Sequence, residues 1–399
     1  MNTNIEDVFK NSSKPNVSSR PIIFNVSAPE ELAALNKLYV EGLARHIIDD
    51  YEEQQREYFQ IQNPTQVFAS NFEEQFTAHL AKLREQMPLR RHGRWAYFPW
   101  ISTLAHILED ESFQSVRMAR NRNLITKEEQ EKFYNSTVGV AGLSIGNSVA
   151  LAIVLQGGAK RIRLADHDRL ALSNLNRIRS GVDNLGVLKV EMTARQIYLL
   201  NPYAEVELFP DGLNKENIER FFGGPPALDV VVDEIDNLAV KYLIREQAQK
   251  HKIAVVMGAD NGDNAVIDIE RYDKNSAQEF FHGRIGRVTY DELAKLDKIG
   301  TGKKIVQHIG IETVTEQAHS SFMEIGKTLV SWPQLGGVAL LNGCAIAYCV
   351  RKILNKQPLE PNRALISLDE KLIPNYNSPK EIKKRDKVSN EFKKFLNYK

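Results

Sequence analysis

An uncharged apolar strand, a glycine-bearing turn, an apolar helix and a second strand ending on an aspartate follow one another between Ser136 and Asp166. No other feature restricts the fold of this chain so strongly. Residues 136–141 (STVGVA) have the length and composition of a buried strand. The turn Gly142-Leu-Ser144-Ile-Gly146-Asn147 follows at once, residues 148–156 read as an apolar helix, and 161–165 as the next strand. Further strands are expected at 204–209, 229–233 and 253–258, with helices at 189–199 and 240–250 between them. Strands and helices alternating at this length imply a parallel sheet covered on both faces. The expected class is α/β, with a doubly wound, mostly parallel, Rossmann-like sheet.

An N-terminal helical region precedes it. Leu32, Leu35 and Leu38 form one apolar stripe between residues 29 and 86, and Phe76, Leu80 and Leu83 form another. The expected division is a mainly helical region over 1–115, which would suit partner recognition, an α/β domain over 116–360, and a basic tail over 361–399. Residues 1–20 read as a loose leader. The segment 90–100 (RRHGRWAYFPW) is read as packing an interdomain surface. Eight Lys/Arg stand against three acids in 378–399, with Val388, Phe392, Phe395 and Leu396 at helical spacing, as a docked amphipathic helix requires.

Composition narrows the class of function. With 52 basic and 51 acidic residues, net charge +1, the chain has no global field for nucleic acid or an anionic membrane. Two cysteines give neither a disulfide framework nor a CxxC zinc site. The first 20 residues lack the apolar core of a secretory signal. Residues 328–350 carry no charge, but the cleanly apolar part is shorter than the ~20 residues of a membrane span and reads as a core helix. The expectation is a cytoplasmic protein that binds no membrane.

The glycine turn is an anion site in form. Close backbone approach at Gly142 and Gly146 and the free N–H groups of the following helix favour phosphate. Asp166, 24 residues beyond Gly142, stands where a carboxylate can hold both hydroxyls of a ribose. A tight turn in any doubly wound domain would read the same way.

The next run is more specific. Asp166-His-Asp168, Ser173-Asn174-Leu-Asn176-Arg177 and Gly186-Val-Leu-Lys189 occur in that order, followed by Asn201-Pro202 and Asp233-Glu-Ile-Asp236-Asn237. Arg120-Asn-Arg122-Asn123 lies upstream of the first strand. Together they resemble the ThiF/MoeB/ubiquitin-activating-enzyme-like adenylating enzymes over about 117–258, and more loosely over 331–354. The GLSIGN loop resembles a bacterial branch of undefined substrate within that family.

The resemblance implies ATP- and Mg²⁺-dependent adenylation of a carboxylate, giving an acyl-adenylate and pyrophosphate. The acceptor it implies is the C-terminus of a small protein or peptide, with a small-molecule or tRNA-borne carboxylate as the variants. Gly142, Ser144, Gly146, Asn147, Asp166, Asp168, Asn174, Arg177 and Lys189 would hold the nucleotide. Arg177, Lys189, Asp236 and Arg122 would carry catalysis, Asp236 as the Mg²⁺ ligand and Arg122 from the partner of a homodimer.

Some residues depart from that pattern. Ser144, Ile145 and Asn147 replace usual glycines. Cys344 and Cys349, in LLNGCAIAYCVRKIL, read as core rather than as acyl-accepting thiols. His167 is expected to point away from the site, and a substrate role for His282 or Arg284 is the lesser reading beside a loop-structural one. Two rival functions remain open. An NAD-dependent oxidoreductase would use Gly142, Gly146 and Asp166 but leave Asn174, Arg177 and Asp236 without a task. A catalytically inactive nucleotide-binding scaffold would explain the altered loop.

Overall fold

The computed structural model describes residues 18–396 in two compact units, one ending at Ala119 and the other beginning at Arg120. Most of the expected leader lies outside the described residues.

The first unit carries helices α1 (Pro29–Val40), α2 (Tyr51–Gln62), α3 (Phe72–Gln86) and α4 (Asp110–Arg117). It also holds a four-stranded sheet that helical periodicity does not reveal. The strands β1 (Ile22–Phe24), β2 (His46–Asp49), β3 (Arg94–Phe98) and β4 (Thr103–Ile107) pair in the order β1-β3-β4-β2. Leu32, Leu35 and Leu38 pack against Phe24, Trp95, Tyr97 and Leu104. Trp95 and Tyr97 of the arginine–aromatic segment, read from sequence as packing an interdomain surface, are thus part of this unit's own core. Trp95 Nε1 donates to the Arg90 carbonyl at 3.0 Å, which satisfies the one polar atom of a buried indole.

The second unit is a seven-stranded sheet. Its strands are β5 (Thr137–Ala141), β6 (Arg161–Ala165), β7 (Glu205–Phe209), β8 (Val230–Asp233), β9 (Ala254–Asn261), β10 (Asn264–Arg271) and β11 (Arg363–Ile366). Their order is β11-β10-β9-β8-β5-β6-β7. The five strands from β7 to β9 run parallel, while β10 and β11 add antiparallel strands at one edge. The α/β class read from strand–helix alternation is the class observed. The strand β11 falls inside the stretch read as a tail, because four residues of mixed exposure carry little periodicity.

Helices α5 (Lys127–Tyr134), α6 (Ile145–Leu155), α7 (Lys189–Leu200), α8 (Ile218–Gly223) and α9 (Leu238–His251) connect or precede the parallel strands. Short helices α10 (Tyr290–Ala294), α11 (Lys298–Ile309) and α12 (Glu316–Glu324) follow β10. Helix α13 (Gly336–Leu354) is apolar enough in length and composition to cross a membrane, and half of that stretch is buried against α6, β9 and β10. Gly343 sets its approach to α6: a Cβ there would stand 2.9 Å from the Ser148 carbonyl group. Beyond β11 come α14 (Leu368–Leu372) and α15 (Pro379–Phe395). Phe392 and Leu396 are buried against Val306, Ile311, Phe322 and Met323, so the basic segment lies on the unit through its apolar side.

Candidate active site

The chain leaves β5 toward β6 on one side and reaches β8 on the other, so the strand order reverses at the β5/β8 boundary. In open α/β sheets, ligands collect at the carboxyl ends of the strands beside such a reversal. Four loops meet there, following β5, β6, β8 and β9. The first is held by its glycine. Gly142 has φ +86°, and a Cβ would stand 2.2 Å from the Glu234 carbonyl oxygen, so only glycine lets this turn pass the end of β8.

Asp166 ties the first two loops together. Its Oδ2 accepts from Leu143 N at 2.7 Å and its Oδ1 from Asp168 N at 2.8 Å. Each carboxylate oxygen keeps a further lone pair, so a ribose hydroxyl can still be accepted from. Helix α6 begins at Ile145, directly after Ser144, and its first backbone N–H groups have no partner within the helix. Here the fold brings an anion-favouring helix end beside a fixed carboxylate.

Two cations flank the turn. Arg177 donates from Nε to Ser144 Oγ at 2.9 Å and from Nη1 to Asn176 Oδ1 at 3.0 Å. Burial lowers its guanidinium from the ordinary value, and the charges of Asp260 and Asp236 work against that shift. Lys189, 5% exposed, puts Nζ 2.7 Å from Asp168 Oδ2 and 3.9 Å from Asp166 Oδ2. Partial burial pushes the Asp168 carboxyl upward, but the Lys189 ammonium outweighs it and leaves the group below the usual carboxylate range. Asn174 accepts from Ala171 N at 3.0 Å and so shapes the turn that presents Arg177.

Three carboxylates line the opposite side. Asp236 is exposed just before Asn237, whose Oδ1 caps α9 by accepting from Ala239 N and Val240 N. Asp236 has no hydrogen bond among the described residues. Asp260, at the end of β9, is buried, and burial pushes its carboxyl up to about 6 despite Asn342 and Arg177. Asn342 Nδ2 donates to Asp260 Oδ1 at 2.7 Å. Burial also holds the Glu234 carboxyl well above its ordinary range while Oε1 accepts from Gly258 N at 2.7 Å. In the sequence, residues 258–262 follow a strand and read as pocket lining, which takes in Asp260, while Asn342 and Glu234 carry no such reading. A lone asparagine inside the apolar run LLNGC is the signal that was there to find.

Beneath these loops lies a buried ionic chain. Asp233, fully buried, is 3.2 Å from Lys241 Nζ and 2.7 Å from Arg245 Nη1. Arg245 also reaches Glu270 at 2.7 Å and stacks on Phe281. Burial raises the Asp233 carboxyl and these two cations more than reverse it. The chain ties β8, α9 and β10 into one floor.

Other expected residues fall elsewhere. Asn147 is completely buried and donates to Thr193 Oγ1 at 3.0 Å and Gln196 Oε1 at 2.7 Å, so its side chain joins α6 to α7 instead of facing the turn. Gly146 packs on β5, where a Cβ would meet Val140 at 3.0 Å. Arg122 is exposed, in a turn bridging to Ile125. Cys344 is exposed, contrary to its reading as core, because its position faces outward on α13. Cys349 is buried, and burial pushes its thiol up to about 11. His167 is exposed 3.5 Å from Asp168 rather than turned away. His282 and Arg284 both bond Asp268, which gives them a structural partner.

Residues 118–375 match the ThiF family. The chain belongs to that family. It is 35% identical over 307 residues to an uncharacterized protein of Mycobacterium tuberculosis, covering 75% of this chain and 42% of that protein. It is 32% identical over 148 residues to the tRNA threonylcarbamoyladenosine dehydratase of Bacillus subtilis, covering 36% of this chain and 58% of the relative. The chain thus spans less than two thirds of the length of either. Among solved structures, Escherichia coli MccB with ATP aligns with a TM-score of 0.43 at 20% identity, over 60% of this chain and 63% of that one.

Proposed function

We propose that the second unit adenylates a carboxylate at the expense of ATP. The observation that carries this reading is the convergence of Arg177, bonded to Ser144 at the start of α6, with Lys189 and the Asp236–Asp260 pair around one helix end. Adenylation needs such a set. An acceptor carboxylate oxygen forms a bond to the α-phosphorus as the bond from that phosphorus to the bridging oxygen breaks, and the electron pair leaves with pyrophosphate. Charge accumulates on the leaving group, and preorganised cations at that point lower the barrier.

In this reading the turn from Gly142 to Gly146 and the first N–H groups of α6 cradle phosphate, with Asn174 shaping the adjoining turn. Asp166 accepts from the ribose hydroxyls, and Arg177 and Lys189 pair with the phosphates. Asp236, exposed and without a hydrogen bond among the described residues, suits Mg²⁺, which takes one or two carboxylates together with phosphate oxygens. When bound there, the ion neutralises triphosphate charge. Asn147 serves packing and is removed from the nucleotide set.

The acceptor is a peptide or small-protein C-terminus, in keeping with relatives named as ubiquitin-like modifier-activating enzymes and as a molybdopterin-synthase adenylyltransferase. The protein acts as a cytoplasmic homodimer in which Arg122 reaches the partner's site. Isotope exchange between pyrophosphate and ATP, with Mg²⁺ and candidate acceptors, tests the chemistry. Exchange that depends on an acceptor carboxylate supports it. ATP binding without exchange by any carboxylate favours an inactive scaffold, and stabilisation by NAD⁺ but not ATP favours the oxidoreductase.

A further inference from the structure

The two edges of the sheet in the first unit differ. At one, β1 is three residues long and follows Pro21, which has no N–H to offer another strand. At the other, every residue of β2 is exposed, Ile47 at 52% and Ile48 at 54%. Register decides which peptide groups this edge presents. β2 runs parallel to β4 with His46 beside Thr103, and His46 N donates to the Ser102 carbonyl at 3.1 Å. Alternate residues of a parallel strand turn their peptide groups to the neighbour. His46 and Ile48 therefore face β4, and the N–H and C=O groups of Ile47 and Asp49 point to the open side. Such an edge, with apolar side chains beside it, is a template for another strand.

The flanking charges select which strand. Residues 45–50 read Arg-His-Ile-Ile-Asp-Asp, and all are exposed. Two copies running the same way would set Arg45 beside Arg45 and Asp49 beside Asp49, and like charges directly opposite are destabilising. Running antiparallel, the sequence complements itself. Two registers match both the outward peptide groups and the faces of the side chains. In one, Ile47 stands opposite Ile47 of the second copy and Arg45 opposite Asp49. In the other, Ile48 stands opposite Ile48 and His46 opposite Asp50. Asp49 is already held in place, since its Oδ1 accepts from His106 Nδ1 at 2.7 Å while its side chain stays 45% exposed.

We propose that β2 pairs antiparallel with β2 of a second copy, about a two-fold axis at the isoleucines, joining two four-stranded sheets. The strand lies outside residues 118–375, which match the ThiF family. The pairing needs neither the adenylation reading nor the partner-site role of Arg122. A ladder this short buries far less than the roughly 1,200 Å² at which stable interfaces begin. The contact therefore exchanges rapidly and is read by trapping it.

The test uses the full chain with its exposed Cys344 removed by Cys344→Ser. Ile47→Cys, Ile48→Cys and, on the opposite edge, the exposed position Ile22→Cys are each oxidised with copper phenanthroline and run without reductant. Opposed residues of an antiparallel pair lie about 4.5–5.5 Å apart at Cα, within reach of a disulfide. Disulfide-linked dimer should form at position 47 or 48, according to register, in at least tenfold excess over position 22. Adding Arg45→Asp together with His46→Asp sets acids against acids in both registers. That change should cut the yield severalfold and leave the melting temperature unchanged, because both side chains are exposed. Equal yields at all three positions, or a yield indifferent to the charge reversal, overturns the proposal. So does the absence of dimer at both 47 and 48, the result expected if a strand of a different protein occupies this edge.

Discussion

The Lys189 ammonium lies 2.7 Å from an Asp168 oxygen and 3.9 Å from one of Asp166, so this buried cation is already answered by carboxylates. An arriving phosphate must share it. Lys189→Ala should weaken ATP binding by roughly 10- to 100-fold, the 1.4–2.8 kcal/mol of a hydrogen bond to a charged group. It should also let the Asp168 carboxyl titrate at higher pH, since the Lys189 charge holds it down. Calorimetry with ATP and carbon-detected NMR of the aspartates measure the two effects. An unchanged ATP affinity would remove Lys189 from the nucleotide set.

Asp236 makes no structural hydrogen bond among the described residues, so its loss should leave folding intact. Asp236→Ala should abolish AMP formation and shift the melting temperature by no more than an ordinary surface substitution does. Arg122→Ala should also be inactive. If Arg122 acts across a dimer, mixing the two inactive proteins restores one complete site per heterodimer, and activity returns. Demonstrated subunit exchange with no recovery would place Arg122 outside its partner's site.

Asp260 should make stability depend on pH. Its carboxyl sits at about 6 against an ordinary 3.8, raised first by burial. Between those values the native state holds a proton that the unfolded chain has released. Stability from this group therefore falls as pH rises through that window, and the deficit is complete above it. Two units correspond to at most about 3 kcal/mol. Asp260→Asn keeps an oxygen for Asn342 and removes the charge, so it should melt above wild type at pH 7.5. The advantage should vanish as pH approaches 4. A variant melting below wild type at pH 7.5 would mean that attraction to Arg177 outweighs desolvation.

Arg245 bridges two buried acids, Asp233 and Glu270. Arg245→Met would leave both without their guanidinium, and removing one member of a buried ionic set costs about 3–5 kcal/mol. Urea denaturation should show a loss of that size, and a double change with Glu270→Gln should recover part of it. Equal destabilisation of the single and double variants would mean that packing on Phe281, not charge, is what Arg245 supplies.

The parallel sheet was legible because buried parallel strands are continuous apolar runs: 161–165 coincides with β6, and 136–141 differs from β5 by one residue. The grouping of Gly142, Asp166, Arg177 and Lys189 was legible for a different reason, in the ordered spacing of the motifs that carry them. Asn147 was misplaced because a glycine pattern records spacing but not side-chain direction, and its amide turns to Thr193. Cys344 was misread because a helix that is apolar nearly all round gives no phase, so its outward face could not be told from its inward one. The Asp260–Asn342 bond joins residues 82 apart in sequence, and only the fold brings them together.

Helix α13 has one more consequence, in the order of synthesis. Its main packing partners, α6, β8, β9 and β10, precede it in the chain. When residues 336–354 leave the ribosome, the elements that cover them in the native fold have already been synthesised. A segment long and apolar enough to enter a bilayer thus emerges with its native packing partners already available to it. Moving this helix ahead of residue 145 by circular permutation would remove that head start and expose the nascent chain to aggregation or to the membrane, with the native contacts unchanged.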